Sequence, residues 1–509
     1  MATWLPRWRS QAWYVQDDWK PLRSLTLNLG LRWSYESPFT TKYGQQAQFD
    51  PTARDPITGR VGAVIHPQGP LSSKDLNNFQ PRLGLAWNLH PKMVFRASFG
   101  LITQDLFTSG INQNFEEYFA TASVQPPPGD PRIAFRLSQG PPNIAFNLSP
   151  DGSVPFVGTN YSGRNISWYD PKMRNPYIMN WSGGLQYQLS GQLLTELIYQ
   201  GSAGVGLLNN WDINAIPLDI SRDPAQLQQI FQASQNYKPF TQFGAIQHFS
   251  NYGHNTYHGL TLRTEKRLSR GFFVNGFYTF SKSLTDNEGD GGASGVTYYN
   301  RRLEKARASY DARHRFVSVF ISEVPLGKGR RFLHSGPLEK VLGGWDFTYS
   351  HTLQSGTPIT VTFAGSQSNY LPGTRRPIQI LPNDQARVQG WTIGPDRFPT
   401  ASQNRYLNID AFRYPAAFTP GTLGRNTLEA TGINWVQFSL SKEFPIRERM
   451  RFILRWDINN PFKTVPFSDP DSTFNTQNST TFGRHTGTRG SFGDIAGRTH
   501  SFLVFRLEW

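Results

Sequence analysis

The sequence predicts an all-β fold, namely an antiparallel transmembrane β-barrel portion of about thirteen strands with short periplasmic turns and long extracellular loops. Two observations lead to this prediction. Many segments of about ten residues alternate between apolar and polar side chains, and the spacers between them are alternately short and long. About ten residues suffice for a tilted strand to cross a bilayer.

Residues 25–35 show the alternation most clearly. The apolar members are Leu25, Leu27, Leu29, Leu31, Trp33 and Tyr35, and they are separated by Thr26, Asn28, Gly30, Arg32 and Ser34. Because successive side chains of a strand point to opposite faces, one face is purely apolar and the other is polar and charged.

The same period of two recurs along the chain. It predicts strands near residues 10–19, 25–35, 80–89, 92–104, 177–189, 192–204, 255–268, 271–284, 312–324, 344–362, 432–443, 449–459 and 496–509. Residues 450–458 and 501–509 repeat the apolar and polar alternation of the first clear segment.

The spacers between the predicted strands follow a strict alternation. Short spacers, such as His90-Pro91 and Ser190-Gly191, are followed by long ones such as 36–79 and 105–176; residues 325–343 form one longer member of the short set. Outer-membrane barrels have this pattern, because short turns face the periplasm and long loops face the exterior. A soluble β-sandwich has no physical reason to keep it.

Composition excludes several classes of protein. The chain has 509 residues, a mean hydropathy of −0.49 and no uninterrupted apolar run long enough for a membrane-spanning helix. Aromatic residues make up 14% of the chain, which does not suit disorder. Cysteine is absent, so thiol catalysis, thiolate metal sites and disulfides are excluded.

The net charge of +15 raises the question of an acidic partner. Because lysine and arginine are spread singly along the predicted strands, we expect no nucleic-acid partner. Anionic lipid headgroups and lipopolysaccharide remain the expected partners of a basic chain in the outer membrane.

Arginines recur on the polar faces of the predicted strands. An arginine at the bilayer midplane of a barrel costs about 2–4 kcal/mol, so these side chains are expected to face a wet lumen. They are Arg32, Arg96, Arg263, Arg451, Arg455 and Arg506. They could guide anionic substrates, or they could have a structural role by pairing with carboxylates and hydrating the interior. The structural role is preferred.

Aromatic residues lie near the ends of the predicted strands. They are Trp13, Trp19, Trp33, Tyr35, Trp87, Trp181, Tyr187, Trp345, Trp456 and Trp509. This placement is typical of the interfacial girdles of membrane barrels, where a ring is half in hydrocarbon and half in water. The alternative is the core of a soluble sandwich, which also contains many tryptophans and tyrosines.

No catalytic or cofactor-binding constellation is found, and the chain is predicted not to be an enzyme. There is no His-Glu-x-x-His zinc motif and no Gly-x-Ser-x-Gly nucleophile motif. Asp286, Glu288 and Asp290 form a weak calcium candidate among glycines, although their spacing does not fit an EF-hand and a solvated acidic loop is the preferred reading.

Solute recognition is expected in the long loops, because loops on a rigid scaffold commonly carry binding residues. Several of these loops contain aromatic side chains. They include Tyr118, Phe119, Tyr161, Trp168, Tyr237 and Phe243.

The number of strands bears on the domain organisation. A closed antiparallel barrel with thirteen strands would join two parallel strands at its seam, whereas bacterial single-chain barrels have even counts. We therefore expect further strands before residue 10, so that residues 1–509 are the C-terminal part of a larger barrel with no separate soluble domain. The absence of a signal peptide at the N-terminus agrees with this expectation.

Several stretches together resemble the barrel of TonB-dependent outer-membrane transporters, and the Oar-like branch is the most similar. The stretches are Tyr14–Lys20 (YVQDDWK), Leu25–Trp33 (LTLNLGLRW), Pro81–Trp87 (PRLGLAW), Tyr278–Ser283 (YTFSKS), Asp311–Val317 (DARHRFV), Gly343–Trp345 (GGW), Leu353–Pro358 (LQSGTP) and Gly424–Asn426 (GRN). The C-terminal Phe505, Leu507 and Trp509 resemble the signal that the barrel-assembly machinery reads.

This resemblance implies uptake of a large or scarce solute across the outer membrane, through a barrel of about twenty-two strands. No plug domain and no TonB box are found, so coupling to TonB would need a plug that this chain does not encode. Two alternatives stay open: a plugless porin-like pore, and a secreted carbohydrate-binding or glycan-cleaving β-protein.

Overall fold

The largest element of the molecule is a sheet in which thirteen antiparallel strands each pair with the next along the chain, and the short strands Arg164–Tyr169 and Ala306–Arg307 add to it. The computed structural model describes all residues except 1–4, 56–57, 68, 106–137, 139, 141–163, 191, 218–225, 227–228, 231, 270, 287, 289–297, 364–374, 389–404, 417–420, 448, 475–479 and 490–496. The strands are β1 (Ser10–Leu22), β2 (Leu25–Glu36), β3 (Phe79–His90), β4 (Met93–Thr103), β5 (Tyr177–Ser190), β6 (Leu193–Asp212), β7 (Phe243–Ser269), β8 (Phe272–Thr285), β9 (His314–Glu323), β10 (Trp345–Gln354), β11 (Ile433–Arg447), β12 (Met450–Asn459) and β13 (His500–Glu508).

All thirteen predicted strands are confirmed, in the predicted order. Several predicted bounds are wrong. β6 continues to Asp212 rather than ending near residue 204, and β7 begins at Phe243 rather than near residue 255. The strand expected over 344–362 ends at Gln354, because the chain then leaves the sheet and Pro358–Ile359 pairs with Leu428–Glu429 instead. The last strand begins at His500 rather than near residue 496.

The connections alternate as predicted. At one end of the sheet the strands are joined by tight turns, except that residues between β9 and β10 contain the short helix α1 (Pro337–Leu342). Trp345 donates its Nε1–H to the carbonyl of Val341 at 2.9 Å, which ties α1 to the start of β10. At the other end, the long-loop end, the connections are long.

Several short strands and 3-10 helices lie at the long-loop end. Short strand pairs are Pro6–Arg7 with Thr40–Thr41, Gln48–Arg54 with Val61–Ile65, Thr362–Phe363 with Thr473–Phe474, and Ile378–Gln379 with Phe412–Arg413. Ala306–Arg307 adds to β8. The 3-10 helices are Ser234–Tyr237, Tyr298–Glu304 and Ile409–Ala411. The described part of the chain includes no helix that is long and apolar enough to cross a bilayer.

The strand register gives the sheet one apolar and one polar face. Directly opposed residues of antiparallel strands share a face. Leu27 lies opposite Leu85, Leu85 opposite Ala97, and the series continues to Leu454 opposite Phe505. Nine of the ten aromatic residues of the predicted girdles lie on this apolar face, and the tenth, Trp509, follows the last strand residue, Glu508.

Four charged residues of the strands depart from this pattern and lie on the apolar face. They are Asp17, Lys266, Lys282 and Lys442. The three lysines are close to strand ends, where a long side chain can reach polar groups. Lys442, for example, donates from Nζ to the carbonyl of Lys340 in α1 at 2.6 Å.

Strands β6 and β7 continue well beyond their neighbour β8. Asn255 of β7 is opposite Thr285, the last residue of β8, whereas residues 243–252 pair with the end of β6 and with Arg164–Tyr169. This part, called the β6/β7 extension (209–212 and 243–252), therefore lies outside the region where the thirteen strands are paired side by side.

The buried apolar residues lie mainly in the loops rather than between sheet layers. The larger cluster includes Val361, Leu407, Phe412, Phe474 and Phe482, from the segments after β10 and β12. A second cluster joins Phe49, Ile166, Phe243 and Ile246 at the β6/β7 extension. Strand residues are mostly half-buried or exposed, as expected for a single-layer wall with solvent or lipid on each face.

Strands β1 and β13 border the sheet, and within the described residues they do not pair with each other. Every residue of β1 is exposed. The sheet therefore has two edges with backbone groups available for further strands.

Candidate functional site

An ionic network at the long-loop end joins two of the stretches singled out in the sequence, Asp311–Val317 and Gly424–Asn426. Asp311 follows the short strand Ala306–Arg307 and accepts a hydrogen bond from the backbone N–H of Ser283 at 2.9 Å. Its other carboxylate oxygen accepts from Nε of Arg307 at 2.7 Å. Arg307 also pairs with Glu429 through Nη1. The network thus connects β8 to the loop that precedes β11.

Asn426 is the second centre of this network. Its φ of +53° is rare for a residue other than glycine, and asparagine is among the few that tolerate it. Its Nδ2 donates to the Arg307 carbonyl at 2.7 Å and to Glu288 Oε1 at 2.9 Å, while its Oδ1 accepts from Thr360 Oγ1 at 2.6 Å. These contacts hold the turn in one conformation.

Arg376 and Glu304 form a buried ion pair behind this turn. Their side chains are 2% and 5% exposed, and the guanidinium binds both carboxylate oxygens, at 3.3 Å and 3.0 Å. Burial lowers the pKa of Arg376, while the charge of Glu304 acts in the opposite direction. Arg425 donates from Nε to the Glu304 carbonyl at 2.9 Å and from Nη2 to the Thr285 carbonyl.

A cavity of about 630 Å³ opens beside this network. Six basic residues line it, against the single carboxylate of Glu429. The basic residues are Arg302, Lys305, Arg307, Arg313, Arg387 and Arg425. The wall of the cavity is therefore strongly positive, and it includes Arg313 from the first of the two sequence stretches and all of Gly424–Asn426.

The register places all six predicted lumen arginines on one face of the sheet, opposite the apolar face. Four of them are paired with carboxylates on the same face. Arg263 lies 2.8 Å from Glu265, Arg451 2.5 Å and Arg506 2.9 Å from Glu508, and Arg455 3.0 Å from Asp457. These contacts support the structural reading of those four side chains.

The other two arginines of that set lie elsewhere on the polar face. Arg96 is exposed. Arg32 lies near Asp105; burial raises the pKa of that carboxyl, and the charge of Arg32 opposes the effect.

The structure places the calcium candidates in separate contacts. Asp286 accepts from the backbone N–H of His254 at 2.5 Å, whereas Glu288 lies 2.7 Å from Nη1 of Arg425 and accepts from the Ser309 N–H. Asp290 lies outside the described residues. No group of three potential metal-binding side chains occurs in the part of the chain that the structure describes.

The loop aromatics have different positions. Tyr118, Phe119 and Tyr161 lie outside the described residues. Phe243 is fully buried against Phe49 and so is part of a core rather than a contact surface. Trp168 stacks on His248 with ring centroids 3.9 Å apart, and Tyr237 ends a 3-10 helix.

His248 lies in the β6/β7 extension and is 6% exposed. Its Nδ1 is 2.7 Å from the Tyr252 hydroxyl, and its Nε2 is buried without a hydrogen-bond partner among the residues that the structure describes. Burial lowers the pKa of His248 to about 4, although Asp170 acts in the opposite direction. The neutral imidazole is therefore the form that this site accommodates.

Phe505 and Leu507 are on the apolar face and are 66% and 49% exposed, and Trp509, which follows the strand, is 88% exposed. They are thus accessible at the edge of the sheet, next to strand β12.

Sequence reasoning did not identify Glu304, Arg307, Arg376 or Glu429 as site residues. Arg376 and Glu304 are separated by 72 positions, and Arg307 and Glu429 by 122. The available signal was the pair of stretches Asp311–Val317 and Gly424–Asn426, which the network brings together.

Comparison with known proteins agrees with the fold. The outer membrane beta barrel domain family matches residues 2–499, and the chain therefore belongs to this family. No curated protein matches the sequence. The solved structures that it resembles are TonB-dependent outer-membrane transporters and receptors.

Three of these structures illustrate the extent of the similarity. The outer membrane transporter YddB from Escherichia coli is 10% identical with a TM-score of 0.47, over 98% of this chain and 45% of that chain. The ferric-catecholate import receptor Fiu from E. coli K12 is 11% identical with a TM-score of 0.42, over 99% and 45%. The ferripyoverdine receptor of Pseudomonas aeruginosa is 10% identical with a TM-score of 0.41, over 99% and 39%. The chain thus spans less than half the length of these proteins.

The protein is accordingly an outer-membrane β-barrel protein.

Proposed function

We propose that residues 1–509 form the C-terminal part of the wall of a TonB-dependent transporter, which takes up a large or scarce solute. The observation that carries this proposal is the thirteen-stranded sheet with one apolar and one polar, arginine-bearing face. The apolar face would lie against lipid and the polar face would line the lumen, including Arg32, Arg96 and Arg263. The chain would not be an enzyme.

The two sheet edges support the view that further strands complete the wall. Within hydrocarbon, backbone groups on an open edge have no water to bond to, so spanning sheets are closed. The edge groups of β1 and β13 would be paired by strands of the remaining barrel. The plug and its TonB contact would come from the same source.

The positions of the apolar face and of the C-terminal residues indicate the other partners of the chain. The apolar face would contact outer-membrane lipid and lipopolysaccharide, and the exposed Phe505, Leu507 and Trp509 would be read by the barrel-assembly machinery. The solute would enter from the long-loop end, where the ionic network and the basic cavity lie.

Conductance in planar bilayers tests this proposal. Because the sheet has two unpaired edges, we expect the refolded chain to insert but to give no stable unitary conductance. If the refolded chain keeps its folded form in the gel, heated and unheated samples should migrate differently.

Two outcomes contradict the proposal. Stable unitary currents from the chain alone would support a plugless pore instead. A chain that is soluble and monomeric without detergent would support a secreted β-protein.

A further inference from the structure

We propose that the basic cavity beside Arg302, Arg313 and Arg425 binds an anionic group of the solute, namely a carboxylate or a phosphate. This inference rests on the proposed uptake function, because it names the class of solute. It concerns the cavity alone and can be tested without transport.

The first support is an excess of positive charge that the protein does not neutralise. Arg307 and Arg425 are paired with carboxylates, but Arg302, Lys305 and Arg313 have no acidic partner within the described residues. Arg302 and Lys305 are exposed, and Arg313 is half-buried. A concave wall with several unpaired cations concentrates anions from solution.

The second support is a set of buried donors without acceptors. Nη2 of Arg307 and Nη1 of Arg425 are buried and make no hydrogen bond within the described residues. Nη1 of Arg425 is 2.7 Å from Glu288, which is an ion-pair distance without hydrogen-bond geometry. Both residues line the cavity, so these N–H groups, which no acceptor offsets, add to the positive potential of its wall.

The third support is rigidity. The side chains of Arg307 and Arg425 are only 13% and 9% exposed, and the carbonyls of Glu304 and Thr285 hold Arg425 in place. Donors that are already fixed lose little conformational freedom when a ligand binds. The planar guanidinium fork matches both carboxylate and phosphate oxygens, whereas a cationic solute would be repelled.

A purely structural role for these basic residues makes a different prediction. The network that holds the loops uses Arg307, Arg376 and Arg425, whereas Arg302, Lys305 and Arg313 form no ion pair with any described residue of it. Removing an unpaired cation should therefore leave the fold intact and change only the affinity for an anion.

The experiment is isothermal titration of the refolded full chain with citrate as the carboxylate probe and pyrophosphate as the phosphate probe. Glucose serves as an uncharged control. We expect at least one anion to bind, with an affinity that falls as ionic strength rises. Arg313→Gln and Arg302→Gln should each weaken binding about 10-fold or more, because each removes a charged donor.

The matched control is Arg267→Gln, which removes an exposed arginine at the short-turn end of β7. It should keep the affinity of the unchanged chain. Heat-modifiable mobility shows which variants fold, and Lys305→Gln replaces any arginine variant that does not.

Three results would overturn the inference. The first is that neither anion binds at about 1 mM. The second is that the cavity variants bind as tightly as the unchanged chain. The third is that Arg267→Gln weakens binding as much as the cavity variants do. These results leave the proposed transport function untouched, since that proposal is judged by conductance. Conversely, a chain that binds citrate but conducts stably would refute only the proposed function.

Discussion

Asn426 shows how a single residue connects distant parts of this chain. Its left-handed backbone lets one side-chain amide reach Thr360, Arg307 and Glu288, which belong to three separate segments. Beside it, Glu304 neutralises the almost fully buried Arg376. A buried ion pair of this kind adds little net stability, but losing one partner leaves the other charge without compensation.

Glu304→Gln is therefore expected to destabilise the loop core by about 3–5 kcal/mol, because Arg376 stays buried and charged. The measurement is hydrogen exchange of residues 375–388 and 421–431 in the refolded chain, which should become faster. The control is Glu443→Gln, since the pair of Glu443 with Arg451 is about half exposed and such pairs are worth at most about 1 kcal/mol.

Restoring neutrality should recover part of the loss. The double variant Glu304→Gln with Arg376→Met removes both charges and should exchange more slowly than Glu304→Gln alone. An equal rate in the single and double variants would show that the uncompensated charge of Arg376 is not what destabilises the core.

His248 makes the β6/β7 extension sensitive to acid. Its pKa is about 4 in the folded chain and about 6.5 when unfolded, so between these values the unfolded state binds more protons. The contribution of neutral His248 to the free energy of unfolding is therefore complete above about pH 6.5 and is lost as the pH falls towards 4. Its upper limit is about 3 kcal/mol.

We expect limited proteolysis of the extension to be faster at about pH 5 than at about pH 7.5. His248→Phe keeps a ring beside Trp168 but cannot titrate, so its cleavage rate should depend much less on pH. A variant that retains the full pH dependence would mean that another group is responsible.

At the scale of elements, the strands could be read from the sequence because their period of two reports directly which face each side chain occupies. Leu25, Leu27 and Leu29 needed no knowledge of their neighbours to be assigned. The loop core could not be read in this way. Val361, Leu407 and Phe474 have no common period, and they meet only because the wall brings their strands together.

The ends of elements were the least predictable feature. Nothing in the alternation over 344–362 marks Gln354 as the last strand residue, since the chain stays extended to pair with Leu428–Glu429. The β6/β7 extension was missed for the same reason, because its partner Arg164–Tyr169 lies in a distant loop and pairs in parallel.

The face assignment is tested by a pair of adjacent substitutions in β2. Leu27→Arg should impair membrane assembly far more than Thr26→Arg, because an arginine at the lipid face of a barrel costs about 2–4 kcal/mol near the midplane. Thr26 lies opposite Ala86 on the polar face, where the charge can be hydrated. Assembly is measured as the heat-modifiable fraction in outer membranes, and equal fractions would contradict the assignment.

At the scale of the whole molecule, the chain combines two kinds of structure. A single-layer sheet provides a wall with little buried core of its own, while the loops at one end pack into clusters that resemble small soluble cores. The basic cavity lies where these two parts meet, above the ends of β8 and β9. Its walls come from loops, but its position is determined by the strands.

The β6/β7 extension has a consequence for what the cell presents to its surroundings. Residues 243–252 continue past the last paired residue of β8, and at about 3.3 Å per residue they add about 30 Å to the strand. In an outer membrane this segment, to which Arg164–Tyr169 adds a further strand, would extend outward beyond the paired end of β8. This hairpin would therefore be within reach of a large particle, such as an antibody or a phage fibre, that cannot enter the lumen below.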